Sequence, residues 1–173
     1  ATLIGIGGSR YSFLVGGNTS LNGDFVLTND LAYVFDPNSP NTPENIRKGI
    51  SDLLSNPETD QSVKDYINSN IGQVAKRNGG SNPFYTTVDL RLTKAFSIAK
   101  GHNLEFSADA FNFLNILNKE WGRNYNRGNT NPLNINGFDQ TKQQYNYSVQ
   151  NIATRPIGGT PWRIQLGGRY SFN

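Results

Sequence analysis

The chain has 173 residues, of which 17% are charged, and its net charge at neutral pH is +3. It contains no cysteine, which excludes a disulfide scaffold, a zinc knuckle and a thiol nucleophile. The positive charge is small and dispersed, so no nucleic-acid partner is expected. Because the chain also lacks methionine, we expect that Ala1 is not the start of the translated protein.

The first strand is predicted over residues 1–15, and residues 16–83 form a long loop with two short helices. Thr42-Pro43-Glu44 indicates the first helix, because threonine can cap its start and proline is favoured at the first helical position. Asn56-Pro57-Glu58 repeats this signal. The residues at helical spacing are Ile46, Ile50, Leu53 and Leu54 in the first helix, and Val63, Tyr66, Ile67, Asn70, Ile71 and Val74 in the second. We interpret both helices as part of a packed extracellular loop.

The same loop has a partial resemblance in spacing to a calcium-binding loop. Counting from Asn18, Gly23 occupies the sixth position, where such a loop needs glycine. The first, third, fifth and twelfth positions carry Asn18, Ser20, Asn22 and Asn29, without a carboxylate. The sequence therefore favours a polar turn over a calcium site. His102 has no second histidine or cysteine near it, so no metal or other cofactor is expected.

Two alternating strands are predicted over residues 84–99 and 103–115. On one side lie Val88, Leu90, Leu92, Phe96 and Ile98 of the first strand and Leu104, Phe106, Ala108 and Ala110 of the second. On the other side lie Asp89, Arg91, Thr93 and Ser97, and Glu105, Ser107 and Asp109. Because successive side chains of a strand point to opposite faces, each strand has an apolar and a polar face.

A short, glycine-containing connection of sequence KGHN predicts that these two strands form a hairpin. The expected register places Ile98 opposite Leu104, Phe96 opposite Phe106, and Lys94 opposite Ala108. Lys94 would then be the one charged residue on the apolar face. We expect its long side chain to reach out to the polar boundary.

The connector over residues 116–160 is rich in asparagine, glycine and tyrosine and shows no sustained period, so it is predicted to be a long loop. Its aromatic residues lie among amides, a composition that suits sugar, peptide or protein recognition. The candidate ligand or partner contacts are Trp121, Tyr125, Phe138, Tyr145 and Tyr147. The alternative is that these rings pack the loop against its neighbours.

The last strand is predicted over residues 161–172. Its apolar face carries Trp162, Ile164, Leu166, Tyr170 and Phe172, and charged residues on the other face include Arg163 and Arg169. From Trp162 to Phe172 the strand spans roughly 33 Å at about 3.3 Å per residue. A tilt of about 45° reduces this to roughly 24 Å, close to the ~25 Å apolar band of a transmembrane β-barrel. The row is therefore predicted to face lipid, although half-buried strands of soluble proteins show the same alternation.

Four strands cannot close a barrel, because the smallest single-chain barrels have about eight. An open sheet in lipid would leave unpaired backbone groups that cost several kcal/mol each. If these strands cross a membrane, the missing strands are expected from preceding sequence or from another chain. The short turn would then lie in the periplasm and the two long loops outside the cell.

Four motifs resemble TonB-dependent outer-membrane receptors of the Oar-like or SusC-like type. GQVAKRNGGSNPFYTTVDLRLTKAF is similar to a late barrel strand of this family, LEFSADAFNFLN to the strand that follows, and TPWRIQLGGRYSFN to its closing strand. YSFLVGGNTSLNGDFVLTNDLAYVFDP is similar to an upstream loop. The motifs occur in the family's order and cover nearly the whole chain.

The resemblance implies the C-terminal part of a 22-stranded, multi-pass barrel in a Gram-negative outer membrane. The barrel would be plugged by an N-terminal domain, would import a ligand with energy relayed by TonB, and would be inserted by the barrel assembly machinery. The expected partners are the rest of the barrel and its plug, TonB, lipid, and a surface lipoprotein or other protein. On this interpretation the apolar row of the last strand also presents the assembly signal.

No enzyme is predicted. The charged residues expected to face the lumen are Asp89, Arg91, Glu105, Asp109, Arg163 and Arg169. Their opposite signs favour neutralised pairs over a catalytic site. Two alternatives to an uptake receptor stay open: an outer-membrane barrel that acts as a structural or partner-binding component of a larger complex, and a soluble extracellular β-sandwich binding module.

Overall fold

The computed structural model describes residues 1–17, 20–154, 157–159 and 161–172. Its strands are β1 Thr2–Ile6, β2 Arg10–Tyr11, β3 Phe13–Gly16, β4 Tyr33–Val34, β5 Gln73–Val74, β6 Gly80–Ser81, β7 Tyr85–Ala99, β8 His102–Phe111, β9 Asn124–Tyr125, β10 Thr130–Asp139, β11 Gln144–Val149, β12 Ile157–Gly158 and β13 Arg163–Phe172. Its helices are α1 Glu44–Ser55, α2 Gln61–Asn68 and α3 Phe113–Leu117. The fold is mostly β.

The chain divides into two compact units. The first, which we call the sheet unit, consists of Ala1–Gly8, Pro83–Tyr125 and Ile157–Asn173. The second, which we call the mixed unit, consists of Ser9–Asn82 and Asn126–Pro156. Each unit is therefore assembled from segments that are distant in the sequence.

The sheet unit is built on an antiparallel sheet in the order β1-β7-β8-β13. Strand β7 occupies Tyr85–Ala99, within the strand predicted over residues 84–99, and β13 occupies Arg163–Phe172, within the strand predicted over residues 161–172. Strand β8 is shorter than the predicted 103–115. It ends at Phe111 because Asn112 takes a left-handed φ of 51° and the chain turns into α3.

The β7–β8 register differs by two residues from the sequence prediction. Phe96 lies opposite Leu104, and Lys94 lies opposite Phe106. The cause is a bulge between Ser97 and Ala99, followed by a tight turn in which Gly101 has a φ of 79°. Because the shift is an even number of residues, each side chain keeps its predicted face.

The prediction of one strand over residues 1–15 is corrected. Only β1, Thr2–Ile6, belongs to the four-stranded sheet, where Leu3 lies opposite Val88. Strands β2 and β3 follow in the mixed unit, and Tyr11 and Phe13 are fully buried there. The change of unit between Gly8 and Ser9 explains the difference.

The mixed unit has its own hydrophobic core. Rings stack at its centre, with the ring centroids of Phe13 and Tyr66 4.1 Å apart. Helix α1 contributes Ile46, Ile50 and Leu53, and α2 contributes Val63, Tyr66 and Ile67, all buried as their helical spacing predicts. The predicted second helix was too long, because α2 ends at Asn68 and Val74 lies exposed in β5. Both helices therefore pack through one apolar face, as expected for amphipathic helices.

Both helix starts differ in detail from the sequence prediction. Helix α1 begins one residue later than expected, with Pro43 as its N-cap, and the Thr42 hydroxyl donates to the carbonyl of Asp36 instead. Helix α2 begins at Gln61 with Asp60 as N-cap, accepting from the Ser62 amide at 2.9 Å. Asn56 is the C-cap of α1 and not the N-cap of α2.

The predicted loop over residues 116–160 contains regular structure. Strands β10 and β11 pair as an antiparallel hairpin, with a bulge between Ile135 and Gly137. Strand β10 also pairs in parallel with β3, which the first segment of the mixed unit supplies. The two predicted loops, residues 16–83 and 116–160, thus contribute to one core.

Candidate functional site

One face of the four-stranded sheet is mainly apolar. Leu92, Ala108 and Leu166 lie side by side on β7, β8 and β13. The row on one side contains Leu90, Ala110 and Ile164. On the other side come a row of Lys94, Phe106 and Gly168 and then a row of Phe96, Leu104 and Tyr170. Leu92 is 73% exposed and Leu166 is 77% exposed. This face therefore presents large aliphatic side chains outward instead of burying them in a core.

Four of the five apolar candidates of the last strand lie on this face: Ile164, Leu166, Tyr170 and Phe172. Trp162 precedes β13, and its backbone amide lies 3.4 Å from Oδ1 of Asn115. Tyr170 stacks on His102, with 5.9 Å between the ring centroids. Lys94 shares the face, and its amine lies 5.9 Å from the centre of the Phe96 ring, a cation–π distance that keeps the charge against an aromatic surface.

The opposite face carries the six charged candidates. Arg91 lies opposite Asp109, with Nε of Arg91 3.3 Å from Oδ1 of Asp109. Glu105 lies opposite Arg169 in the register, but the ion pairs among the described residues do not include this pair. An ion pair thus neutralises Arg91 and Asp109. The other four charged candidates form no ion pair among the described residues.

Asp89 and Arg163 flank Phe111 in one row of this polar face. The register places Arg163 opposite Phe111 and places Asp89, next to Leu90, on the other side of Phe111. The guanidinium carbon of Arg163 lies 4.5 Å from the centre of the Phe111 ring. Oδ1 of Asp89 accepts the backbone amide of Asn112 at 2.8 Å. An acidic and a basic residue therefore lie on the two strands that flank an aromatic residue.

This row borders a cavity of about 290 Å³ within the sheet unit. Polar groups of Tyr85, Thr87 and Asn124 also line it. Gly122 forms part of the wall with a φ of 65°, and a Cβ atom there would lie 1.9 Å from Oδ1 of Asn112. Only glycine allows this close approach. The cavity combines two opposite charges with hydroxyl, phenol and amide groups.

The five aromatic residues predicted as ligand contacts separate into two groups. Phe138, Tyr145 and Tyr147 belong to the mixed unit, where the ring centroids of Phe138 and Tyr145 are 5.1 Å apart and those of Tyr145 and Tyr147 are 6.4 Å apart. Tyr145 and Tyr147 pack against the core, and burial raises the pKa of the Tyr147 phenol. These two rings serve packing, whereas Phe138 is exposed.

Trp121 and Tyr125 belong to the sheet unit. The Tyr125 hydroxyl donates to Glu120 at 2.8 Å. Trp121 is 51% exposed, and its carbonyl accepts from the Asn115 side chain. The five rings therefore do not form a single surface on one unit.

The stretch compared above with a calcium-binding loop is centred on Asp24, which the sequence did not single out. Its carboxylate accepts the Val26 amide at 2.8 Å and the side chains of Asn29, Asn22 and Ser20 at 2.6–3.1 Å. These hydrogen bonds, that of Asn29 first, lower the Asp24 pKa to about 2. The amide donors point at the carboxylate, so the loop is organised around an anion. Asn18 lies outside the described residues.

Neither a metal-ligand cluster nor a membrane-spanning helix occurs among the described residues. No group of three or more histidine, cysteine, aspartate or glutamate side chains could hold a metal ion there. None of the helices in the described part of the chain is long and apolar enough to cross a membrane.

No protein-family model, curated protein or solved structure matches this chain. The family resemblance therefore rests on the four sequence motifs.

Proposed function

We propose that this chain is the C-terminal part of a β-barrel of the TonB-dependent receptor type, which lies in a Gram-negative outer membrane and imports a ligand captured outside the cell. The observation that carries the proposal is the mainly apolar face of the β1-β7-β8-β13 sheet, with Leu92, Leu166 and Phe172 each more than two-thirds exposed. Lipid is a solvent in which such a face is stable.

The two faces of the sheet suit the two sides of a barrel wall. A transmembrane strand alternates apolar residues toward lipid with polar residues toward the lumen, and β7, β8 and β13 keep this alternation in a common register. Strands β1 and β13 are the edges of this sheet. In lipid each edge needs a further strand, because an unpaired backbone group costs several kcal/mol. The proposal therefore requires neighbouring strands beyond the sheet described here.

Matched arginine substitutions on adjacent residues of β7 test the lipid-facing assignment. Leu92→Arg places a charge on the apolar face, and we expect it to hinder membrane assembly by about 2–4 kcal/mol if the residue meets lipid near the midplane. Thr93→Arg places the same charge on the polar face and should be tolerated. Assembly is measured as heat-modifiable migration of the protein in detergent gels.

Equal tolerance of the two substitutions, or recovery of the protein in the aqueous fraction without detergent, would overturn the proposal. The second result would instead favour a soluble β-sandwich binding module. Equal loss of assembly would show that both faces are buried in protein.

One observation favours the alternative of a partner-binding component. Phe25, in the Asp24 loop, is 93% exposed and has a φ of 64°, a conformation that is uncommon for a bulky residue. Leu21, Val26 and Leu27 beside it are also exposed. If this tip docks on a protein, Phe25→Ser should abolish stable co-purification of that partner and leave solute uptake unchanged.

A further inference from the structure

We infer that the cavity of the sheet unit binds a short peptide with free ends, with Asp89 taking its ammonium group and Arg163 its carboxylate. A short peptide would be the ligand of the proposed uptake function. Only the transport of the peptide rests on that function. Binding itself depends on residues of the sheet unit alone.

The charges of Asp89 and Arg163 are not satisfied by each other or by another described ion. Among the described residues, the ion pairs of the chain include neither of them. Asp89 lines the cavity and uses Oδ1 for the backbone amide of Asn112, and its Oδ2 accepts no hydrogen bond from the described residues. The guanidinium of Arg163 lies against the Phe111 ring, and its N–H donors lie in the guanidinium plane, where they can bind a carboxylate.

The spacing of strands β7 and β13 sets an upper limit to the length of the ligand. Asp89 and Arg163 lie on β7 and β13, with β8 between them, so their backbones are about 10 Å apart at about 4.8 Å per strand spacing. An extended peptide covers about 3.3–3.6 Å per residue, so two or three residues bridge this distance.

The remaining lining fits the middle of such a ligand. Ile4, Ile6 and Phe111 offer an apolar surface beside the two charges. Thr87, Tyr85 and Asn124 offer donors and acceptors for peptide groups. The volume of about 290 Å³ is at the lower end of small-molecule sites. A peptide without large side chains meets these requirements.

Three probes that differ only at their ends test the inference: triglycine, N-acetyl-triglycine and triglycine amide. Isothermal titration calorimetry is carried out with the detergent-purified protein. We expect triglycine to bind most tightly and each blocked probe to bind at least about tenfold more weakly, because each loses one charged hydrogen bond. Asp89→Asn should remove the discrimination against the acetylated probe only. Arg163→Gln should remove the discrimination against the amide only.

Arg91→Gln is the matched control, because Arg91 lies on the same face but is paired with Asp109, and it should preserve both preferences. Equal affinity for all three probes, a uniform loss for all probes in Asp89→Asn and Arg163→Gln, or no binding of triglycine at millimolar concentration would overturn the inference. Membrane assembly is measured separately with Leu92→Arg and Thr93→Arg. A failure of peptide binding is thereby distinguished from a failure of the proposed membrane location.

Discussion

The side chain of Asn82 binds both polar groups of the Arg127 backbone: its Oδ1 accepts the amide at 2.9 Å, and its Nδ2 donates to the carbonyl at 2.8 Å. Asn82 also donates from its backbone to the carbonyl of Ser9 at 2.9 Å. Ser9 and Asn82 are the ends of the first segment of the mixed unit, and Asn126 begins the second. The hydrogen bonds of one buried side chain therefore connect the two segments at the point where the chain enters and leaves the unit.

We predict that Asn82→Ala destabilises the mixed unit by about 2–4 kcal/mol, because two buried backbone groups of Arg127 would each lose a partner at about 1–3 kcal/mol. Hydrogen exchange at the Arg127 amide measures the effect directly. Asn146→Ala, at an exposed position of β11, is the control and should change stability by less than about 0.5 kcal/mol. Unchanged protection of Arg127 would contradict the prediction.

Gly49 lets α1 approach β11 closely, since a Cβ atom at this position would lie 2.5 Å from Cβ of Val149. Gly49→Ala should therefore destabilise the protein by about 1–2 kcal/mol, because overpacking costs about 1–3 kcal/mol and exceeds the helix-propensity gain of about 1 kcal/mol. In a Val149→Ala background the same substitution should become neutral or stabilising. Thermal unfolding of the single and double variants tests both statements, with Ser51→Ala on the exposed side of α1 as control.

The Asp24 loop should be stable to acid down to an unusually low pH. The Asp24 pKa falls from 3.8 to about 2 on folding. A lowered folded-state pKa means that its hydrogen bonds contribute fully above about pH 4 and are lost as the pH falls through about 2. The ¹³C shift of the Asp24 carboxyl carbon, followed against pH, should have its midpoint near 2. A midpoint at or above 3.8 would contradict this.

Two pairs of oppositely charged residues on the polar face, Arg91 with Asp109 and Glu105 with Arg169, should differ in their coupling free energy. Arg91 and Asp109 are within ion-pair distance but Arg91 is largely exposed, so a double-mutant cycle with Arg91→Gln and Asp109→Asn should give about 0.2–1 kcal/mol. The matched cycle with Glu105→Gln and Arg169→Gln should give a coupling near zero. A larger coupling for the second pair would show that register alone predicts ion pairing on this face.

Strand parity was predictable from the sequence because it depends only on alternation. The polar and apolar assignments of Leu92, Arg91 and Glu105 follow from a period of two, and the two-residue register error left them unchanged. The register itself was not predictable. It depends on a bulge between Ser97 and Ala99 and on the φ of Gly101, neither of which changes the hydrophobic pattern.

The parallel pairing of β10 with β3 explains why the second connector was mistaken for a loop. Leu133 and Ile135 alternate with Asn134 and Asn136, a weak pattern in a segment dominated by amides. Their partner strand, Phe13–Gly16, is more than 100 residues earlier in the chain. No local signal reports such a contact. The start of α2 was misplaced for a different reason: Asn56 serves as the C-cap of the preceding helix.

The candidate site was predictable in composition but not in arrangement. All six charged residues could be assigned to one face by alternation, yet pairing was expected for all of them. Asp89 and Arg163 form no ion pair with each other because Phe111, at the end of β8, lies between them on the polar face. An aromatic residue at that place interrupts the charge pattern, and this is the signal that could have indicated a binding cavity.

The sharing of one core between two distant segments has a consequence for the evolution of this protein. Strand β3 comes from Ser9–Asn82 and β10 from Asn126–Pro156, so a gene conversion that replaced one segment with a divergent copy would join mismatched halves. The same holds for the contact between Gly49 and Val149. Viable recombinants should exchange both segments together and keep the hairpin between them. The two segments should then share an ancestry that differs from that of the hairpin.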